Sequence, residues 1–223
     1  MNIKGAIFDM DGTLIDSLSF WERYWKRIGK AYFNNEHFTP DKQVDTAVRA
    51  KTFVDAQRLI KDFYRLDVSD EEFYRFSNDG VLDFYKNEVT IKEGAIAFLE
   101  HLKAQQIPMC IASATEMHVI RFILSHLGLD KYFDHILSCA DIGKSKNEPD
   151  IYLLAKDALG HSEGELCVFE DSYVALQTAK RAGFLTVGIY DGNNFRQDLL
   201  AASADIYLGE GHSWTELINR INA

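Results

Sequence analysis

The chain has 223 residues, 47% hydrophobic and 26% charged, with 24 Lys and Arg against 34 Asp and Glu and a net charge of −10. That balance argues against nucleic acid or an anionic membrane as a partner, and it requires any anion site to be built locally, from a metal, a lysine or helix N-termini. No segment approaches the roughly 20 apolar residues of a membrane helix, and the apolar run at the N-terminus is too short for a signal peptide, so a cytoplasmic setting is expected.

Residues 3–8 read as a buried strand. Asp9-Met10-Asp11-Gly12-Thr13 follows at once, placing two carboxylates where the strand ends and a glycine where a tight turn is needed. Such a run is either a polar turn or the edge of a site, because ligands in open α/β sheets bind beyond the carboxyl ends of the strands. Residues 17–88 then read as all-helical. Leu18, Trp21, Trp25 and Ile28 share one helical face, with Tyr24 beside it. Thr39-Pro40 resembles an N-cap with Pro at the first helical position. Residues 54–64 are helical in pattern, and Ser69 with Glu72 forms a possible capping box before a last helix. This stretch holds 15 of the 28 aromatic residues, as a small core relying on large side chains requires.

From residue 93 the pattern alternates. Helical spacing over 93–106 precedes an apolar run at 107–112, and a helix over 119–127 stops at Gly128. Residues 135–139 form a candidate strand, and 151–159 a helix ending at Gly160. Strand 166–169, helix 173–182, strand 185–189, helix 195–201, strand 205–208 and helix 214–221 complete the chain. Units of this length imply a mostly parallel sheet with helices on both faces. Cys110, Cys139 and Cys167 lie in or beside these strands with no CxxC spacing, and are expected buried and reduced.

Polar residues gather at the predicted strand ends. Ser113 closes the 107–112 run and, with Glu116, fits a capping box that would bring its hydroxyl to a helix N-terminus. The loop 143–150 carries Lys144 and Lys146, either of which could reach back as a fixed positive charge. Glu170 and Asp171 follow the 166–169 strand. If that strand neighbours the first, then Asp9, Asp11 and Asp171 meet, and a hard divalent cation relieves their repulsion. An oxygen-only set favours Mg²⁺ over Zn²⁺. The chemistry that results is attack by a carboxylate on a phosphoryl group. Mg²⁺ and lysine share the transferring charge, and the acid two residues on handles the protons.

In these residues the chain resembles the haloacid dehalogenase superfamily of phosphohydrolases, in its subgroup with a helical cap after the first strand. Residues 9–17 fit its first motif, Ile111-Ala112-Ser113 the second, Lys146 with residues 147–152 the third, and Phe169-Glu170-Asp171-Ser172 the fourth. Asn147 replaces a common proline and Ala175 a frequent glycine, and the first departure leaves Lys144 and Lys146 both open for the third motif. The resemblance implies an α/β, Rossmann-like core of residues 1–16 and 89–223 with a helical cap over 17–88. It implies Asp9 as nucleophile and metal ligand, and Asp11 as acid/base with its backbone carbonyl on the metal. Ser113 and Lys146 hold phosphate, and Glu170 and Asp171 complete the Mg²⁺ site. The expected activity is hydrolysis of a small phosphate monoester. A phosphosugar mutase of the β-phosphoglucomutase type is the alternative, and a non-catalytic phosphate-binding regulator a third. In this family the cap reads the leaving group, so Arg49 and Lys51 are candidate contacts for a second anionic group, beside the ordinary reading of each as solvated surface.

Overall fold

The computed structural model describes residues 1–49 and 51–221. The chain forms two compact units, one of Met1–Leu18 with Thr90–Ala223 and one of Ser19–Val89. Among the described residues no helix is long and apolar enough to cross a membrane.

The first unit contains β1 (Gly5–Phe8), β2 (Ile15–Asp16), β3 (Thr90–Ile91), β4 (Met109–Ser113), β5 (His135–Ser138), β6 (Leu166–Glu170), β7 (Leu185–Ile189) and β8 (Ile206–Leu208). Six of these make one sheet in the order β5-β4-β1-β6-β7-β8, and every pairing in it is parallel. Strands β2 and β3 form a separate antiparallel ribbon. Strand β1 is the point where the order reverses: the chain builds outward to β4 and β5 on one side, then returns to β6 on the other. A crevice opens at the carboxyl end of such a strand, because the flanking connections leave in opposite directions.

Strands β1, β4 and β6 are buried along their whole length. Successive side chains of a strand face opposite ways, so each face has its own core. Ile7 packs with Cys110, Val168, Tyr152 and Leu159, the last two from the helix at Asp150–Leu159. On the other face Phe8 stacks on Phe169, ring centroids 4.5 Å apart, and meets Trp214 at 6.0 Å and Phe98 at 6.4 Å. Such ring pairs add ~0.5–1.5 kcal/mol each beyond the area they bury. All three cysteines are free and buried.

The helical unit holds α1 (Phe20–Phe33), α2 (Lys42–Val48), α3 (Phe53–Tyr64) and α4 (Asp70–Asn87). Tyr24, Trp25, Ile28, Val44, Ile60 and Phe73 are central to its core, with Trp21 only partly buried against it. Leu18 precedes α1 and belongs to the other unit, so it does not extend the helical face. Ser69 and Glu72 form a reciprocal capping box at the start of α4. The start of α2 differs from the sequence expectation. Its cap is Asp41, whose carboxylate accepts from the Gln43 and Val44 N–H groups; the nearer, charged side chain displaces Thr39.

The remaining helices are α5 (Ala95–Ala104), α6 (Met117–His126), the single turn α7 (Cys139–Ile142), α8 (Asp150–Leu159), α9 (Tyr173–Arg181) and α10 (Gln197–Ser203). Gly128 and Gly183 follow α6 and α9 with φ of +66° and +96°, and Gly160 closes α8 at +73°. Two expectations fail. Ser113 is still in β4, paired with Ser138, so α6 starts later, with Glu116 at the cap position and no side-chain cap bond. The terminal segment is a short 3₁₀ turn, Trp214–Leu217, rather than a helix to residue 221. Its buried anchors Trp214, Leu217 and Ile221 suit a run of tight turns as well as a helix, and so short a helix is marginal by itself.

Candidate active site

Asp9 immediately follows β1, and its N–H still donates to the Phe169 carbonyl at 3.0 Å. The strand ladder thus carries its side chain into the crevice beside Glu170, the last residue of β6. Asp9, Glu170 and Asp171 are all buried, and each offers a carboxylate oxygen within 4.8 Å of the others. Lys146 reaches the same place from the loop before α8. Its ammonium donates to Asp9 Oδ1 and, at 2.6 Å, to Glu170 Oε1. Lys144 instead lies half-exposed and pairs with Glu148 and Asp150. The loop therefore turns Lys146 inward and Lys144 outward.

Further hydrogen bonds hold the acids in place. Glu170 Oε1 also accepts from the Tyr152 hydroxyl at 3.2 Å, and Oε2 accepts from the Ser172 N–H at 3.0 Å. Asp171 Oδ1 accepts from the Thr13 hydroxyl at 3.0 Å, and Oδ2 from the Asn194 amide at 2.6 Å. The Asp11 carboxylate stands outside the three-acid cluster. Ser17 donates to its Oδ1 and Thr115 to its Oδ2, both at 2.7 Å. Ser113 is buried at the end of β4, its hydroxyl accepting the Thr115 N–H at 3.1 Å. Gly12 makes this crowding feasible. Its φ is +79°, and a Cβ there would stand 2.5 Å from Asp171 Oδ2.

Three buried carboxylates face one partly buried ammonium, and the imbalance shows in their proton affinity. Burial raises the Asp9 pKa to about 6, an effect that Lys146 opposes and Glu170 reinforces. Burial, Glu170 and Asp9 raise Asp171 well above the usual carboxylate range. Burial disfavours the charge on Lys146, yet Asp9 and Glu170 outweigh it and hold the ammonium well above its ordinary value. The residual negative charge, the oxygen-only donor set and the missing Cβ of Gly12 fit a hard cation among Asp9, Glu170 and Asp171. Burial pushes the nearby Cys139 thiol up to about 11, so it is no nucleophile at neutral pH.

Arg49 and Lys51 belong to the helical unit. Arg49 is tied to Asp45, Nε lying 3.2 Å from both carboxylate oxygens, and lies over the Trp21 ring. Lys51 is exposed. Thr13, Thr115, Tyr152 and Asn194 had no sequence signal of their own. The first three lie inside or next to motif residues, whereas Asn194 sits in a Gly-Asn-Asn stretch that reads as an ordinary turn.

A parallel sheet presenting buried acids and one lysine at its carboxyl edge, with a helical insertion after the first strand, defines an α/β enzyme core of hydrolase type. A family model described as haloacid dehalogenase-like hydrolase matches residues 3–183. The chain is 31% identical to hexitol phosphatase A of Escherichia coli K12, covering 85% of this chain and 84% of that protein. It is 25% identical to a phosphorylated carbohydrates phosphatase of Thermotoga maritima, covering 91% and 92% of the two. The crystal structure of β-phosphoglucomutase from Clostridium difficile matches with a TM-score of 0.69 at 20% identity, covering 92% of this chain and 90% of that one, a likeness of fold. The chain belongs to the haloacid dehalogenase-like hydrolase family and is an enzyme rather than a non-catalytic binding protein.

Proposed function

We propose that the protein is a Mg²⁺-dependent phosphatase of small phosphate monoesters, with phosphorylated sugars and polyols as the substrate class. The observation that carries this reading is the buried cluster of Asp9, Glu170, Asp171 and Lys146, with Asp11 two residues from Asp9. The phosphatases named above support the substrate class. Asp9, Glu170 and Asp171 would hold Mg²⁺ through their side chains and Asp11 through its carbonyl. When bound, the ion neutralises the cluster and the charge on the phosphoryl oxygens.

An Asp9 carboxylate oxygen attacks phosphorus, and the bond from phosphorus to the leaving oxygen breaks, giving an aspartyl phosphate. Asp11, oriented by Ser17 and Thr115, gives its proton to that oxygen. In the second step Asp11 takes a proton from water, which attacks phosphorus, and the bond to Asp9 breaks to release phosphate. Lys146 and the Ser113 hydroxyl donate to phosphoryl oxygens in both steps.

The test is phosphate release from a panel of sugar and polyol phosphates. Release is expected with Mg²⁺, is lost to a chelator, and falls at least ~10³-fold in Asp9→Asn. No Mg²⁺-dependent release from any member overturns the reading. A phosphosugar mutase uses the same residues, and isomerisation of glucose 1-phosphate only in the presence of a bisphosphate primer would identify one.

A further inference from the structure

Asp171 is anchored from outside its own strand. It follows β6, and its side chain is held from two directions, by Thr13 and by Asn194. Asn194 is the more telling contact. Its amide nitrogen donates to Asp171 Oδ2 at 2.6 Å and to the Asp171 carbonyl at 3.2 Å. Its amide oxygen accepts the Phe195 N–H at 2.8 Å. That last bond fixes which end faces the carboxylate, since a flipped amide would set oxygen against oxygen and nitrogen against N–H.

The loop carrying Asn194 is itself anchored. Asp191 is 4% exposed, and its Oδ1 accepts the Asn193 N–H at 2.8 Å while its carbonyl accepts the Asn194 N–H at 3.1 Å. Its Oδ2 receives the ammonium of Lys92 at 3.0 Å, and the same ammonium donates to the Tyr190 carbonyl at 2.8 Å. Lys92 directly follows β3, and its N–H donates to the Leu14 carbonyl at 2.9 Å. A continuous series of bonds therefore runs from the β2–β3 ribbon through Lys92, Asp191 and Asn194 to Asp171.

We propose that Asn194 is a positioning residue that aims the Asp171 carboxylate at the cation site, and that the Lys92–Asp191 pair holds Asn194 in place. Asp171 has two oxygens and several lone pairs. With Thr13 on one oxygen and Asn194 on the other, rotation of the carboxylate is restrained, and it stays beside Asp9 and Glu170. This rests on the metal reading given above, and partners behind a ligand typically carry a tenfold or larger share of metal affinity, about 10- to 100-fold.

The experiment is calorimetric titration of Mg²⁺ into the purified full chain, with thermal melting in chelator alongside. Wild type binds and Asp171→Asn does not; absence of binding by wild type removes the metal reading and this inference with it. Given wild-type binding, Asn194→Ala raises Kd about 10-fold and Lys92→Met about 3-fold. Lys92→Arg, which keeps the charge and donors, stays within about twofold of wild type. In Asn194→Ala, kcat recovers at saturating Mg²⁺ while KM for the phosphate ester is unchanged. A purely structural role lowers the melting temperature and leaves Kd alone. Wild-type affinity in Asn194→Ala therefore overturns the proposal, and a Lys92→Met variant that melts earlier with unchanged Kd overturns the part assigned to the pair.

Discussion

Burial holds the Asp9 carboxyl at about 6, against 3.8 for an unperturbed Asp. Because the folded value is the higher one, folding favours the protonated form. That stabilisation is full below pH 3.8 and is lost as pH rises through about 6. Asp9→Asn imitates the protonated form at every pH. In chelator, its stability relative to wild type should grow between about pH 4 and pH 7, reaching ~1–3 kcal/mol, as read from paired urea melts; a difference flat with pH counts against the assignment. The charge that the proposed nucleophilic role requires thus opposes stability at this residue. The two lysines of the 143–150 loop give a second contrast. Lys146 touches Asp9 and Glu170 whereas Lys144 pairs with Glu148 and Asp150. Lys146→Ala should lower kcat/KM by ~10²–10³-fold and Lys144→Ala by less than about twofold, measured at saturating Mg²⁺.

At the scale of elements, local chemistry sets some helix starts and chain geometry sets others. The capping box of Ser69 and Glu72 satisfies two N–H groups of α4 reciprocally, so Ser69→Ala should destabilise the helical unit by ~1 kcal/mol in denaturant unfolding and leave kcat unchanged. The start of α6 shows the other regime. Ser113 and Glu116 have the spacing of a capping box, but Ser113 ends β4 opposite Ser138 and α6 begins only at Met117, too far along the chain for Ser113 to cap it. That displacement leaves the Ser113 hydroxyl at the sheet edge, bonded to the Thr115 N–H, instead of at a helix end.

For the molecule as a whole, the net charge of −10 disfavours an anionic substrate at long range, and the uncompensated acids at the β1–β6 edge make the metal-free core pay for their proximity. A cation that binds only the folded state should relieve that strain. At Mg²⁺ about 100-fold above its Kd, linkage contributes ~2.7 kcal/mol, a rise in melting temperature of ~5–10 °C for a chain of this size. Scanning calorimetry with and without chelator checks it, and an unchanged melting temperature would count against a metal at this site.

Most elements of the core sheet and its helices were legible in the chain alone, because hydrophobic period, glycine stops and short parallel-strand runs are local signals; the β2–β3 ribbon and the terminal 3₁₀ turn were not. Even the order of β6, α9 and β7 is legible from such runs. The sequence also marked Asp9, Asp11, Ser113, Lys146, Glu170 and Asp171, since each stands where a strand ends or in the polar loop before a helix. Tertiary structure alone decided the pairings. That Lys146 rather than Lys144 meets Asp9, that Asp11 stands apart between Ser17 and Thr115, and that Asn194 holds Asp171 all depend on strand order. The same is true of a glycine at position 12: a tight turn explains its backbone, but only the packed sheet brings the Asp171 carboxylate to within 2.5 Å of where its Cβ would be. The physical reason is range. Propensity and capping act over a few residues, whereas the contacts of Asn194 with Asp171, Thr115 with Asp11 and Lys146 with Asp9 join residues 23, 104 and 137 positions apart, and the parallel sheet closes those distances.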